Sequence, residues 1–78
     1  MDPDATIQRI VDSLPGDVEE FLAACDDLAG WIGSGGFVPK RISEITSKHL
    51  LLLGIHGKLE AQVVISNARG LAARAAGR

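Results

Sequence analysis

The sequence predicts an all-α fold, a small bundle of three to four short helices, on the strength of three observations. Apolar residues recur at helical spacing in several segments, residues typical of helix starts and ends lie between these segments, and alanine is frequent near the C-terminus. The chain has 78 residues, of which 46% are hydrophobic and 23% charged, as in ordinary folded proteins. We therefore expect a single small helical domain over residues 1–78.

The first helix is predicted to begin at Asp2-Pro3. Aspartate caps free backbone N–H groups, and proline at the first helical position loses no hydrogen bond. Pro15-Gly16 then ends the helix. Between these limits one helical face is apolar and comprises Ile7, Ile10, Val11 and Leu14.

The second helix is predicted to begin at Asp17, with Glu20 three residues later in a capping-box pattern. Cys25 lies on the apolar side of this helix, and the opposite side is acidic. Because a reactive thiol needs an exposed and electropositive setting, we interpret Cys25 as a core residue. The full apolar stripe comprises Val18, Phe21, Leu22, Cys25, Leu28, Ala29 and Ile32.

A glycine-rich segment at residues 30–41 raises the question of a phosphate-binding loop. Neither nucleotide motif fits, because a P-loop ending at Lys40 needs glycine at position 39 and a dinucleotide motif starting at Gly33 needs glycine at position 38. The segment instead predicts a helix end and a hinge, since glycine readily adopts the left-handed conformation after a helix. The residues assigned to this hinge are Trp31, Gly35, Gly36, Phe37 and Pro39, the last of which starts the next helix.

The segment after the hinge predicts another helix, because its apolar residues again keep helical spacing. Gly54 and Gly57 indicate a break after it. We expect His49 and His56 to be partly buried or interfacial. The apolar residues of this segment are Ile42, Ile45, Leu50, Leu51, Leu52 and Leu53.

The last segment fits two structures. Residues 59–65 alternate in a strand-like pattern, so an α+β fold with a hairpin over about 51–65 stays open as the alternative. Residues 61–75 fit a helix, and their alanine-rich composition favours it. We therefore prefer a final helix, whose small residues permit close approach of a partner helix.

The charge is divided unevenly along the chain. Residues 1–36 carry eight acids and one base, a net charge of −7, whereas residues 37–78 carry seven bases and two acids, a net charge of +5. Either the two halves attract each other or each half has its own partner. The candidate interaction surface for nucleic acid or an acidic partner comprises Lys40, Arg41, Lys48, Lys58, Arg69, Arg74 and Arg78.

Several classes of function are not expected from this sequence. Cys25, His49 and His56 lack the spacing of metal ligands, and no cofactor motif is present, so we expect neither a metal nor a cofactor. No serine has the context of a catalytic triad, and short helices leave little room for a pocket that shifts pKa values, so we expect no enzymatic activity. The longest apolar run, residues 50–53, is far shorter than the roughly 20 residues that a membrane span needs. A single cysteine and an acidic start without a signal peptide favour a cytoplasmic location.

Two motifs in the first half resemble a known group of proteins. Asp-Pro-Asp-Ala-Thr-Ile stands at residues 2–7, and Leu-Ala-Gly-Trp-Ile-Gly-Ser-Gly-Gly-Phe-Val-Pro stands at residues 28–39. This pattern is similar to that of small uncharacterised proteins of actinobacteria and their phages, which have leucine at the positions of Ile7, Ile32 and Val38. The resemblance covers residues 2–39. It implies an actinobacterial or phage source and a helical hairpin, and it carries over no functional residue.

The sequence leaves two hypotheses about function. The first is a non-enzymatic helical module that self-associates and binds a protein partner, because the chain is small and has no disulfide to support its core. The second is a small DNA-binding protein that uses the basic half of the chain. The second hypothesis ranks lower, because no aromatic residues lie between the basic residues and the overall charge is negative.

Overall fold

The computed structural model of the protein describes residues 2–76, and this part of the chain forms helices without any strand. The helices in chain order are α1 (Pro3–Ser13), α2 (Val18–Gly33), a 3₁₀ helix (Lys40–Glu44), α3 (Ser47–Ile55) and α4 (Leu59–Ala76). The predicted all-α bundle is therefore confirmed. The alternative with a β-hairpin over 51–65 is wrong, because those residues lie in α3, its turn and α4.

The first two helices begin where the sequence predicts. The carboxylate of Asp2 accepts hydrogen bonds from the backbone N–H groups of Asp4 and Ala5, at 3.0 and 3.4 Å. Asp17 caps α2 in the same way and accepts from the backbone N–H of Glu20 at 3.0 Å. These bonds satisfy backbone donors that have no partner inside the helix.

The core lies between the four helices, with α2 at its centre. α2 packs along α1 on one side and against α4 on the other, while α4 also contacts α3 and the 3₁₀ helix. The alanine face of α4 buries Ala61 and Ala68 inside this same chain. Its close partner is therefore α2 of its own bundle. The side chains that are almost completely buried include Ile7, Ile10, Phe21, Cys25, Leu28, Ile42, Ile45, Leu53 and Ile65.

The segment after the hinge differs from the single helix that its spacing predicts. Ile42 is buried from within the 3₁₀ helix, Ile45 is buried from the connection that follows it, and α3 begins only at Ser47. The two isoleucines thus keep their core positions although the helix is interrupted. Gly57 ends α3 with a φ of +76°, whereas Gly54 lies inside α3 and does not mark a break.

The hinge forms as predicted, and glycine is required at its two central positions for different reasons. Gly35 has a φ of +95° just after α2, a backbone conformation that residues with a Cβ rarely adopt. Gly36 lies against Trp31, whose carbonyl accepts the Gly36 N–H at 3.0 Å. A Cβ at Gly36 would come within 2.5 Å of the indole ring. Both positions therefore require glycine.

Trp31 and Phe37 close the hinge. The indole Nε1–H of Trp31 donates to the Phe37 carbonyl at 2.9 Å, and the two rings meet edge to face with centroids 5.4 Å apart. Pro39 is fully buried and immediately precedes the 3₁₀ helix, so it starts a 3₁₀ rather than an α-helix. The hinge thus folds the second half of the chain back onto the first.

The Gly36 contact predicts opposite effects for two glycine-to-alanine substitutions. Gly36→Ala should lower the free energy of unfolding by about 1–3 kcal/mol, because its methyl group overlaps Trp31. Gly30→Ala should raise the free energy of unfolding by up to about 1 kcal/mol, because Gly30 lies inside α2 with open space around it. Urea unfolding followed by circular dichroism measures both, and equal effects of the two variants would contradict the hinge geometry.

Candidate interaction surfaces

Two of the predicted basic residues form ion pairs and hydrogen bonds with other residues of the same chain. Arg41 makes two hydrogen bonds to the Glu44 carboxylate at 2.5 and 2.9 Å and another to Gln8 of α1 at 2.6 Å. Lys58 pairs with Asp26 of α2 at 3.0 Å, which joins the basic half of the chain to the acidic half. The attraction between the halves is thus partly realised within one molecule, although exposed pairs of this kind contribute little stability.

The remaining basic residues fall into two groups. Lys48 of α3 and Arg69 of α4 both lie close enough to His49 for their charges to act on it. Lys40 lies at the hinge, and Arg74 lies in the last turns of α4. Within residues 2–76 none of these four cations forms an ion pair, whereas Arg78 lies outside the described residues.

Most of the acidic residues are engaged within the chain. Arg9 bridges two carboxylates of α2, Glu20 at 2.6 Å and Asp27 at 3.0 Å, and these contacts raise the pKa of the Arg9 guanidinium. The hydrogen bond to Arg41 lowers the pKa of Glu44. Seven of the ten acidic side chains cap a helix, accept a side-chain hydrogen bond or form an ion pair, namely Asp2, Asp12, Asp17, Glu20, Asp26, Asp27 and Glu44.

Cys25 is a core residue, as predicted. Its side chain is fully buried on α2. Burial, with a further contribution from the Asp26 charge, raises the pKa of the thiol to about 12. The thiolate that a nucleophile or metal ligand requires is therefore disfavoured.

The two histidines differ, although the sequence predicts the same setting for both. His49 is half-buried and stacks on Phe21 with ring centroids 5.8 Å apart. Its Nδ1 accepts the backbone N–H of Thr46 at 2.9 Å and so caps the start of α3. His56 is exposed at the C-terminal end of α3, so the expectation of partial burial is wrong there, because the chain turns away at Gly57.

The outer side of the α3–α4 pair carries four exposed large apolar residues, which we call the outer hairpin face. Each of these side chains is between 55% and 68% exposed. Residues four apart share one side of a helix, so α3 contributes the first two and α4 contributes the other two. The outer hairpin face comprises Leu51, Ile55, Leu59 and Val63.

The contact between α3 and α4 at Gly54 and Gln62 shows which sides of the two helices face each other. The side-chain oxygen of Gln62 lies 3.2 Å from the position that a Cβ would take at Gly54, so these residues mark the contact line of the hairpin. The buried Leu53 and Ile65 lie to one side of this line. By helical geometry the outer hairpin face lies on the other side, away from the core.

Sequence reasoning missed this face for a specific reason. Leu51 lies in a run of four leucines that looks entirely apolar, and Leu59 and Val63 belong to the segment that also fits a strand. Once both segments are helices, Leu50 and Leu53 occupy the core side and Leu51 must point elsewhere. A helical projection of residues 47–55 contains that signal.

A second apolar surface lies beside the hinge, and we call it the hinge groove. It has a volume of about 520 Å³ and lies between the end of the hinge and the C-terminal part of α4. Phe37 immediately precedes it in the chain and is 66% exposed, and Leu71 at its edge is 59% exposed. The lining residues are Val38, Pro39, Lys40, Leu71, Ala72 and Ala75.

Two other features, a metal site and a membrane-spanning helix, are not found in the described part of the chain. In residues 2–76 no three histidine, cysteine, aspartate or glutamate side chains come together as metal ligands do. None of the helices in the same range is both long and apolar enough to cross a membrane. The outer hairpin face and the edge of the hinge groove hold the most exposed large apolar side chains of residues 2–76.

The setting of His49 predicts a pH-dependent stability. Burial, together with the charges of Lys48 and Arg69, lowers the pKa of His49 from its ordinary value of 6.5. The unfolded chain then binds a proton more readily than the fold does, so stability is present above about pH 6.5 and is lost as the pH falls below it. Protonation also removes the acceptor of the Thr46 N–H.

Urea unfolding at about pH 7.5 and about pH 5 measures this effect above the range in which most carboxylates titrate. His49→Gln should abolish most of the difference between the two pH values, whereas His56→Gln should retain it. A difference that survives in His49→Gln would show that another group is responsible.

Comparison of the chain with protein families, with curated proteins and with solved structures found no match. The resemblance of residues 2–39 to small actinobacterial and phage proteins therefore stays a prediction.

Proposed function

We propose that this protein is a non-enzymatic helical interaction module that self-associates and binds a protein partner. The observation that carries the proposal is the outer hairpin face, where Leu51, Ile55, Leu59 and Val63 are exposed together. Single exposed leucines are ordinary, but adjacent ones that form an apolar patch mark a protein contact.

A second copy of the chain is the occupant that fits this face best. The four side chains are aliphatic and uncharged, so the face is complementary to itself across a two-fold axis. Two hairpins packed in this way form a four-helix arrangement, with helices crossing at about 20°. Both chains use the same apolar face in this dimer, so no different surface is needed on the partner.

The size of the face sets the strength of the proposed dimer. Four half-exposed aliphatic side chains offer on the order of 400 Å² per chain, which lies within the range of functional patches. Two copies then bury about 800 Å² in total, somewhat less than the roughly 1,000 Å² that a stable specific interface exceeds, so the dimer is a weak one. We expect a dimer that dissociates in roughly the micromolar range.

Self-association also compensates for the small amount of apolar surface that a chain of this size can bury. A domain of 78 residues buries only about 60% of the surface that its unfolded chain exposes, and Cys25 has no second cysteine with which to form a disulfide. Covering the outer hairpin face adds apolar burial that the isolated fold lacks. Stability and assembly are therefore coupled, and the melting temperature should rise with concentration.

The dimer is tested by light scattering coupled to size-exclusion chromatography over a range of concentrations. The unmodified protein should form a dimer, and Ile55→Glu should weaken it by at least about tenfold, because it places a charge in the apolar face. Leu71→Glu is the matched control, since Leu71 is similarly exposed on α4 but lies outside this face. Circular dichroism checks that both variants fold.

Two results would contradict the proposed dimer. An unmodified protein that stays monomeric well above micromolar concentration would remove self-association altogether. Equal weakening by Ile55→Glu and Leu71→Glu would move the contact away from the outer hairpin face.

The DNA-binding hypothesis stays the second prediction. Lys40, Lys48, Arg69 and Arg74 remain to neutralise phosphates, since Arg41 and Lys58 are bound to carboxylates of the same chain. These four cations fall into two groups, with Lys40 and Arg74 at the hinge and the end of α4 and Lys48 and Arg69 around His49. This division supports a duplex contact less than the apolar face supports a protein contact.

A further inference from the structure

The hinge groove is apolar and has exposed anchoring residues at its edge. Val38 and Pro39 line one side of it, and α4 contributes Leu71 and Ala75 to the other. Phe37, one residue before Val38, is largely exposed although its ring packs on Trp31. Aromatic and aliphatic side chains exposed beside a groove are typical anchors of protein contacts.

The groove is held in place by the hinge itself. Pro39 is fully buried, and the indole Nε1–H of Trp31 donates a hydrogen bond to the Phe37 carbonyl oxygen at 2.9 Å. Gly35 and Gly36 adopt positions that other residues would not tolerate. One wall of the groove is thus fixed before any partner arrives, so less ordering entropy is lost on binding.

The charges around the groove indicate the sign of the charge that its partner carries. Lys40 is part of the lining, and Arg74, which is not part of it, precedes the lining residue Ala75 in the sequence of α4. Neither cation has an ion-pair partner within residues 2–76, and the lining contains no acidic residue. The positive potential is therefore not neutralised locally, and it attracts an acidic segment.

We infer that the hinge groove binds an acidic amphipathic helix of a partner protein. Leu71 and Ala75 are one helical turn apart, so the groove runs along α4 and suits a helix that inserts apolar residues at spacings of three and four. The acidic residues of that helix lie over Lys40, the charged residue of the lining. This inference rests on the proposed role as an interaction module but is independent of the dimer.

A second copy of this chain suits the groove poorly. Seven of its ten acidic side chains are already engaged within their own molecule. The other three, Asp4, Glu19 and Glu60, lie on α1, α2 and α4 respectively. No single helix of the described fold therefore presents both an exposed apolar face and several uncommitted carboxylates.

Selection from a displayed library of random peptides, with the full chain as target, tests this inference. Peptides of roughly 18 residues are long enough to form a helix on binding. The enriched peptides should combine apolar residues at helical spacing with aspartate and glutamate. The strongest of them is then synthesised, and its affinity is measured by fluorescence anisotropy.

Paired variants locate the binding site of this peptide. Leu71→Glu and Lys40→Glu should each weaken binding by about tenfold or more. Val18→Glu and Lys48→Glu are their matched controls, an exposed aliphatic residue and an exposed lysine outside both the groove and the outer hairpin face, and they should keep the original affinity. Binding by Ile55→Glu should also persist, so that a failure of self-association is distinguishable from a failure of the groove.

Several results would overturn the inference. These are the absence of enriched peptides, enrichment of neutral or basic peptides, and equal binding by the groove variants and their controls. A dimer of the unmodified protein that Leu71→Glu abolishes and Ile55→Glu retains would assign the groove to a second copy. Binding of phosphatidylserine vesicles that Leu71→Glu abolishes would assign it to a lipid surface.

Discussion

Burial of the apolar stripe of α2 is the interaction on which the rest of the structure depends. Phe21, Cys25 and Leu28 lie on this stripe without exposure to solvent, and α1 and α4 pack on either side of it. α1 can reach it directly through the short connection at Pro15-Gly16. α4 can reach it only if the chain reverses at the hinge, so the contact of Gly36 with Trp31 is a condition for the whole core.

The two halves of the molecule share one core and have different surfaces. The first half carries most of the acidic residues, and they are largely occupied as helix caps and as partners of Arg9 and Lys58. The second half carries the outer hairpin face and the hinge groove. The surfaces suited to recognition therefore lie mainly on the half that the resemblance to known proteins does not cover.

Features that nearby residues determine were predictable from the sequence, whereas features that depend on distant packing were not. Asp2, Asp17 and the hinge glycines act within one turn of chain, so the starts of α1 and α2 were predicted at the correct residues and the end of α2 was predicted within the glycine-rich segment. The interruption of the helix near Ile45 was not predicted, because its apolar spacing continues across the break while the backbone does not. His49 and His56 looked alike in sequence, and only packing against Phe21 distinguishes them.

By itself the sequence determined the helical class, the hinge with its glycines, and the burial of Cys25, because these follow from backbone conformation and from the spacing of apolar residues. Only the tertiary structure decided which apolar residues stay outside the core. Leu50 and Leu51 are neighbours of the same type, and their different exposure depends on where α4 lies against α3. Likewise, the sequence identified the basic residues, but folding decided that Lys58 is paired with Asp26 and that Lys40 borders a groove. A surface for recognition is what remains after packing, so its position is a property of the assembled fold.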